Sequence, residues 1–307
     1  MPGSYTQVSA LTEKHFMPKV HDQIFDSNIV ARRLKKGGRY KKTPGGTSIV
    51  IPLNYAMASA SAWYQGSEDL NITDNDVICA GQVEWAQLHA AVVISGLDRL
   101  INAGPQQVLS FVQQKIEIAK KTMMDKLGTG IFSDGTDSKS IVGLRDWVAT
   151  DQTVAGLSQT TNTWWAGQVD STTTTFGLSA LQTGYTLCCI DNMKPTLGVC
   201  TRAILNRLWG ALQPQQRFTD SETASAGFSN IMFNQVPVVF DSYCPANHFF
   251  FLNEDNLGLH YHPERDIKMM PFADVVGNDV QVAQIYWMGA FASYNNRTHF
   301  KASALSA

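Results

Sequence analysis

Four short stretches of the C-terminal third decide the fold: NQVPVVFD at residues 234–241, FFFLN at 249–253, QIYWMGA at 284–290 and NNR at 295–297. Apolar and aromatic runs alternate here with turn-forming residues, which is the pattern of short β-strands. The pattern predicts strands over residues 231–241, 248–253, 257–262 and 281–293. The last third of the chain is therefore predicted to consist mainly of β-sheet.

Helices join these strands in the middle of the chain. A short strand is predicted over residues 197–200, followed by a helix that Thr201 can cap. The apolar side chains expected to face inward on that helix are Ile204, Leu205, Leu208, Trp209 and Leu212. Another helix is predicted where Leu178, Leu181, Tyr185 and Cys188 share one face. Strand followed by helix indicates a mixed core of the α+β class.

The strongest helix signal begins at Gly104 and Pro105, since proline favours the first helical position. Apolar residues then recur at spacings of three or four, at Val112, Ile116, Ala119, Met123 and Leu127. We predict that Gly128 and Gly130 end this helix. A helix of this length can span a whole domain.

Two extended runs precede that helix, at residues 47–56 and 82–94. Alternating apolar residues predict a strand in the first, and the second is also predicted to be a strand. The segment between them is much longer than an ordinary hairpin turn. The sequence therefore predicts a long excursion away from the core.

Charge is scarce and unevenly distributed. Only 16 % of residues are charged, 44 % are hydrophobic, and the net charge is −2. Seven basic residues lie together without an acid: Arg32, Arg33, Lys35, Lys36, Arg39, Lys41 and Lys42. A compact acidic stretch follows: Glu68, Asp69, Asp74 and Asp76. Complementary patches and a low charge content indicate a chain that associates with itself.

Other classes of protein receive little support. The longest apolar runs are too short to span a membrane, and the N-terminus does not resemble a secretion signal, so we expect neither location. The five cysteines have no Cys-x-x-Cys spacing and are expected to be reduced thiols. The glycine and serine motifs of nucleotide-binding proteins and hydrolases are missing, so no cofactor and no catalytic residue is predicted.

One pattern leaves a metal-dependent enzyme open as a lesser alternative. His260, His262, Glu264 and Asp266 alternate along the chain, and on a strand they would share one face. Pro263 interrupts the run and Arg265 lies within it, so ordinary surface histidines are the favoured interpretation. We therefore predict no metal site.

The order of elements resembles the Hong Kong 97 fold of tailed-bacteriophage major capsid proteins, and the C-terminal stretches quoted above carry the most specific part of the resemblance. The resemblance implies an N-terminal arm, an extended β-hairpin loop, a peripheral domain with a spine helix, and an axial domain. Its implied boundaries are 1–46 for the arm, 47–95 for the loop, 96–182 for the peripheral domain, joined by 275–307, and 183–274 for the axial domain.

The same resemblance implies a structural protein and not an enzyme. Copies would form hexamers and pentamers of an icosahedral shell, assembled in the bacterial host cytoplasm, that encloses double-stranded DNA in a virion. Scaffolding, portal and decoration proteins would be separate partners, and no membrane is involved. An encapsulin, a cellular compartment with the same shell fold, is the alternative. Because lysine is absent between Lys42 and Lys115, we expect no lysine crosslink from the extended loop.

The charge segregation leads to a hypothesis about how neighbouring subunits align with each other. The basic stretch of one subunit would pair with the acidic stretch of another. A second interpretation has the basic residues contact DNA phosphates inside the shell, and a third leaves them as a solvated charge run.

Overall fold

The computed structural model describes residues 28–57, 60, 62–69, 73, 76–101, 105–174, 177–212 and 231–305. The helices in these residues are α1 Ile29–Lys36, α2 Gly96–Ile101, α3 Pro105–Ile131, α4 Leu144–Trp147, α5 Leu178–Cys188 and α6 Arg202–Leu212. The strands are β1 Tyr40–Lys42, β2 Ser48–Asn54, β3 Ile78–Glu84, β4 Ala86–Ser95, β5 Thr153–Val154, β6 Leu157–Ser158, β7 Gln168–Asp170, β8 Leu197–Cys200, β9 Ile231–Phe233, β10 Val236–Phe240, β11 Phe249–Leu252, β12 Leu257–Tyr261, β13 Lys268–Met269, β14 Ala273–Asp274, β15 Val280–Ser293 and β16 Phe300–Ala302. The predicted α+β class is confirmed.

The first of two six-stranded sheets, called the peripheral sheet below, is built around β15. This strand pairs with β4 along ten residues, from Val280 opposite Ser95 to Gly289 opposite Ala86. On its other side β15 pairs with β12, which in turn pairs in parallel with β1 of the N-terminal arm, while β13 and β14 complete the sheet. Helix α3 packs against β4. The long helix therefore lies against the β4 side of the sheet.

Helix α3 confirms the predicted spine but continues past its predicted end. Its inward residues, from Val112 to Leu127, are at most 4 % exposed. Gly128 and Gly130 do not end the helix, which runs through both to Ile131. A Cβ on Gly128 would lie 2.5 Å from the ring of Tyr243, and one on Gly130 would lie 3.1 Å from Ile141. These glycines therefore serve close packing and not chain termination.

The second sheet, called the axial sheet, has the strand order β7-β16-β11-β8-β10-β9. Helices α5 and α6 pack on it, and Phe249, Phe251 and Phe300 fill the core between them. The single strand predicted over residues 231–241 is a hairpin, because Asn234 and Gln235 both adopt positive φ and turn the chain. These two residues connect β9 to β10.

The two sheets exchange strands between segments that the sequence assigned to different domains. Strand β12 lies within residues 183–274, expected in the axial domain, yet pairs with β15 in the peripheral sheet. Strand β16 lies within residues 275–307, expected in the peripheral domain, yet pairs with β11 in the axial sheet. The chain thus passes directly between the sheets twice, at residues 253–256 and 294–299.

The extended hairpin consists of β2 and β3, which pair from Ser48 opposite Glu84 to Asn54 opposite Ile78. The single strand predicted over residues 82–94 is therefore two strands separated at Trp85. Strand β3 returns the hairpin, and β4 enters the peripheral sheet. The alternation that the sequence suggested for β2 is confirmed, with Ile49, Ile51 and Leu53 buried and Val50 exposed.

Candidate assembly surfaces

The root of the extended hairpin is held by its own chain. Its inward residues Ile49, Ile51, Leu53 and Val83 are at most 5 % exposed and belong to the main core. Two contacts also attach the root of the hairpin to the segment around residues 155–164. The backbone N–H of Gln82 donates to the carbonyl of Ala155 at 2.9 Å, and the rings of Tyr55 and Trp164 lie 5.5 Å apart. The direction in which the hairpin leaves the subunit is therefore set internally.

The far end of the hairpin is exposed in its described residues. Each described residue between β2 and β3 except Val77 is exposed. Large apolar side chains are among them: Met57 is 93 %, Trp63 103 % and Tyr64 65 % exposed. On the strands, Val50 and Ile78 are 58 % and 61 % exposed. Concentrated apolar surface of this kind marks an interaction site, because water disfavours its exposure.

The tip also carries the predicted acidic patch. Glu68, Asp69 and Asp76 are exposed, whereas Asp74 lies outside the described residues. The described acidic side chains therefore lie on the same exposed excursion as Trp63 and Tyr64. We call the exposed residues Met57, Trp63, Tyr64, Glu68, Asp69 and Asp76 together the hairpin tip. The hairpin tip offers both apolar area and negative charge.

The N-terminal arm is bound to its own subunit. In α1, Val30, Ala31 and Leu34 are at most 1 % exposed. The side chain of Asn28 caps the helix by accepting from the N–H of Ala31 at 2.8 Å. The apolar spacing of residues 23–35 predicts a helix, and the first part of that range, residues 23–27, lies outside the described residues.

Two of the predicted basic residues pair with acids of their own chain. Arg33 Nε and Nη2 donate to the two carboxylate oxygens of Glu254 at 2.6 and 2.8 Å. This hydrogen bonding raises the pKa of Arg33 above its ordinary value, against the opposing effect of burial. Arg39 pairs with Asp255 at 2.5 Å.

The other basic residues differ in their surroundings. Lys41 Nζ donates to the hydroxyl of Tyr294 at 3.0 Å and lies 4.4 Å from the centre of its ring. Lys35 is half-buried. Arg32, Lys36 and Lys42 are exposed and point their charge into solvent. The basic stretch therefore divides into residues that hold the arm in place and residues that are open to a partner.

Sequence reasoning missed the acids Glu254 and Asp255 as partners of the arm. They lie in a short 3₁₀ turn, Glu254–Asn256, between β11 and β12. In the sequence this segment gives only a turn signal, and more than 200 residues separate it from Arg33 and Arg39. No local pattern could have connected the two.

The alternating residues of the metal-site pattern have separate protein partners. His260 bonds to Thr43 Oγ1 through Nδ1 at 3.0 Å and to the Tyr294 hydroxyl through Nε2 at 2.8 Å. Burial, with Lys41 nearby, lowers the pKa of His260 to about 4. His262 accepts from the N–H of Glu264, and Asp266 accepts from the hydroxyl of Tyr40. Among the described residues no group of three or more His, Cys, Asp or Glu could hold a metal ion.

The axial half exposes a second set of apolar side chains. Leu187 on α5, Trp209 on α6 and Met232 on β9 are 42 %, 38 % and 58 % exposed. The prediction that Trp209 faces inward is wrong, since it is 38 % exposed, whereas Ile204 and Leu208 of α6 are fully buried in the axial core. The exposed side of α6 that carries Trp209 is therefore a further candidate contact surface.

Two further observations concern the chemistry of the chain. The five cysteines are free thiols in the structure, and Cys188, Cys200 and Cys244 are buried. Burial raises the pKa of Cys200 to about 12, which keeps this thiol protonated and unreactive. In the described part of the chain, no helix is long and apolar enough to cross a membrane.

Solved structures of shell proteins have the same fold. The chain is similar to the protein of the cyanophage A-1(L) capsid asymmetric unit, at 16 % identity and a TM-score of 0.62, over 88 % of this chain and 91 % of that one. It is similar to the capsid of a native GTA particle, at 12 % identity and a TM-score of 0.62, over 89 % and 90 %.

A third similar structure is the holo-SrpI encapsulin complex from Synechococcus elongatus PCC 7942, at 12 % identity and a TM-score of 0.55, over 89 % of this chain and 87 % of that one. No protein-family model and no curated protein sequence matches the chain. At such low identities the likeness establishes the fold.

Proposed function

We propose, from the Hong Kong 97 fold that the chain shares with tailed-phage capsid structures, that it is a major capsid protein and not an enzyme. Copies of the chain would form the hexamers and pentamers of an icosahedral head. The head would enclose double-stranded DNA in a virion and be assembled in the bacterial host cytoplasm. Scaffolding, portal and decoration proteins, where used, would be separate chains.

The observation that carries this proposal is the exposed hairpin tip. Trp63 and Met57 are almost completely exposed and Tyr64 is 65 % exposed, whereas the inward side chains at the root of the same hairpin are buried. A rigid root with an apolar tip is suited to deliver that tip to a neighbouring copy. A contact of this type repeated around a shell makes weak interfaces collectively stable.

Opposite charges would determine how neighbouring subunits align in the shell. The hairpin tip offers Glu68, Asp69 and Asp76, and the arm offers Arg32, Lys36 and Lys42 in exposed positions. Arg33 and Arg39 contribute less, because they pair within the subunit. We therefore propose that the exposed basic residues of one copy contact the acidic hairpin tip of another.

Reversing the two exposed charges of α1 tests this contact. The double variant Arg32→Glu with Lys36→Glu should fold but fail to form shells, and adding Glu68→Lys with Asp69→Lys should partly restore them. A matched control is Lys121→Glu with Lys126→Glu, two exposed lysines on α3, which should still assemble. Electron microscopy and light scattering report the outcome.

The same variants separate the alternatives for the arm. Shells of normal yield that hold less nuclease-protected DNA would favour contact between the arm and DNA phosphates. Normal shells with normal DNA content would leave the basic residues as a solvated charge run and end the proposal for register.

An encapsulin-type compartment is the second candidate, favoured by the similarity to the holo-SrpI encapsulin complex. The two functions differ in what the shell contains. Shells purified from the native source should hold nuclease-protected double-stranded DNA if the chain is a capsid protein. Shells that hold a single protein cargo and no DNA would support the compartment instead.

A further inference from the structure

The extended hairpin presents a second face, on the side away from the core. Along β2 and β3, the residues that point inward are buried or half-buried, and the residues that alternate with them are exposed. Six exposed residues share the outer side and pair across the hairpin: Val50 with Gln82, Pro52 with Ala80, and Asn54 with Ile78. We call these six residues the outer strip.

The outer strip is more apolar than a solvent-facing surface of a sheet should be. It carries no charge, and four of its six residues are apolar. Val50 and Ile78 are 58 % and 61 % exposed. An antiparallel sheet that covers a core with one face normally presents polar side chains to water on the other. The outer strip departs from that alternation, which indicates a face that is covered by a partner.

The backbone of the hairpin limits how a partner can approach. The N–H of Gln82 points away from β2, since it donates to the carbonyl of Ala155 at 2.9 Å. Gln82 and Val50 are therefore a non-hydrogen-bonded pair of the ladder, and so are the two other pairs of the outer strip. Side chains of such pairs lie closest across the strands, so the outer strip is a continuous surface.

Neither edge of the hairpin favours the addition of another strand. On the β2 edge, Pro52 has no N–H to donate. On the β3 edge, the N–H of Gln82 already donates to Ala155. Main-chain pairing along either edge would therefore be interrupted. A partner of this hairpin should bind by packing against the side chains of the outer strip.

The outer strip is continuous with the hairpin tip. Asn54 and Ile78 stand at the end of the strands, and the tip residues Met57 and Asp76 follow within three residues of them along the chain. On the opposite face, the inward residues of both strands belong to the main core of their own subunit. The hairpin therefore has one face that is held by its own chain and one face that leads into the tip.

From these observations we infer that the outer strip is an interface with a second copy of this chain, which packs on the hairpin by its face and not by its edges. The inference rests on the proposed capsid function, which assigns the hairpin tip to a neighbouring copy. A specific interface commonly involves about 20–30 residues on each side. The six residues of the hairpin tip are few for such a contact, and the outer strip doubles the number that the hairpin offers.

The double variant Val50→Thr with Ile78→Thr tests the outer strip. Threonine retains a high β-propensity, and both positions are exposed, so the melting temperature of the subunit should not change. In an interface each threonine buries a hydroxyl without a partner. We therefore expect the protein concentration needed for assembly to rise about tenfold for each position, as measured by light scattering over a concentration series.

A matched control exchanges the two side chains. Val50→Ile with Ile78→Val keeps both positions apolar and β-branched, so it should assemble at the wild-type concentration. If the double threonine variant does not fold, the single variant Val50→Thr decides, since it replaces only one methyl group by a hydroxyl.

An unchanged assembly threshold for the threonine variant would overturn the inference, and a lower melting temperature beside it would show that the subunit covers the outer strip itself. A threshold that the control raises equally would also overturn it, because apolar character would then not be the cause. A wild-type chain that never forms shells would contradict the proposed function, and the inference would fall with it. That failure appears in the wild type alone, so it is distinguishable from a wild type that assembles beside unaffected variants.

Discussion

The substitution Trp63→Ala should weaken assembly while leaving the fold of the subunit intact. Trp63 is 103 % exposed, so the subunit should lose less than about 0.5 kcal/mol of unfolding free energy. A tryptophan buries about 150–250 Å² in an interface, which at about 25 cal/mol per Å² corresponds to roughly 4–6 kcal/mol as an upper limit. Measured truncations at such contacts cost about 2–4 kcal/mol.

A loss of about 3 kcal/mol per contact would raise the protein concentration needed for assembly by about 100-fold. Light scattering over a concentration series gives that threshold, and chemical denaturation of the subunit gives its stability. Trp165→Ala is a control that removes a buried tryptophan. Trp165 is 2 % exposed, so its loss should destabilise the subunit by about 3–5 kcal/mol. An unchanged assembly threshold for Trp63→Ala would refute the role given to the hairpin tip.

Two further predictions concern the subunit alone. Gly128→Val should lower the free energy of unfolding by about 1–3 kcal/mol, because any Cβ there meets the ring of Tyr243, and equal stability in thermal melts would contradict that packing. Burial, with Asp134 nearby, raises the pKa of Asp146 to about 6. Since this folded-state value exceeds the ordinary one, the wild type should gain stability as pH falls from about 6 towards 4. Asp146→Asn should remove that gain, on the order of 1 kcal/mol after allowing for solvent screening, and an unchanged pH profile of melting would count against the assignment.

Local patterns in the sequence predict much of this fold correctly. The spacing of Val112 to Leu127 identifies the spine helix, and alternation identifies β2, because both patterns depend only on which face of an element is buried. The helix end at Gly128 could not be predicted in this way. Tyr243 approaches the helix there from more than 100 residues away, and only tertiary contact makes glycine necessary.

The candidate surfaces were predictable to a similar extent. The sequence alone shows the basic stretch of the arm and the acidic stretch of the hairpin, because each is continuous along the chain. The sequence does not show that Arg33 pairs with Glu254 and Arg39 with Asp255. These ion pairs depend on the path of the chain from β11 in one sheet to β12 in the other. Trp209 shows the same limit: its helical spacing suits the core, and its exposure follows from which side of α6 meets the axial sheet.

The proposal that this chain builds a closed shell is tested most directly by cryo-electron microscopy of the wild-type protein, expressed alone and with its neighbouring genes. We expect closed icosahedral particles with sixfold and fivefold capsomers, in which the hairpin tip with Trp63 lies buried against a neighbouring copy. A protein that stays a uniform monomer under every condition, or shells in which Trp63 remains in solvent, would contradict the account.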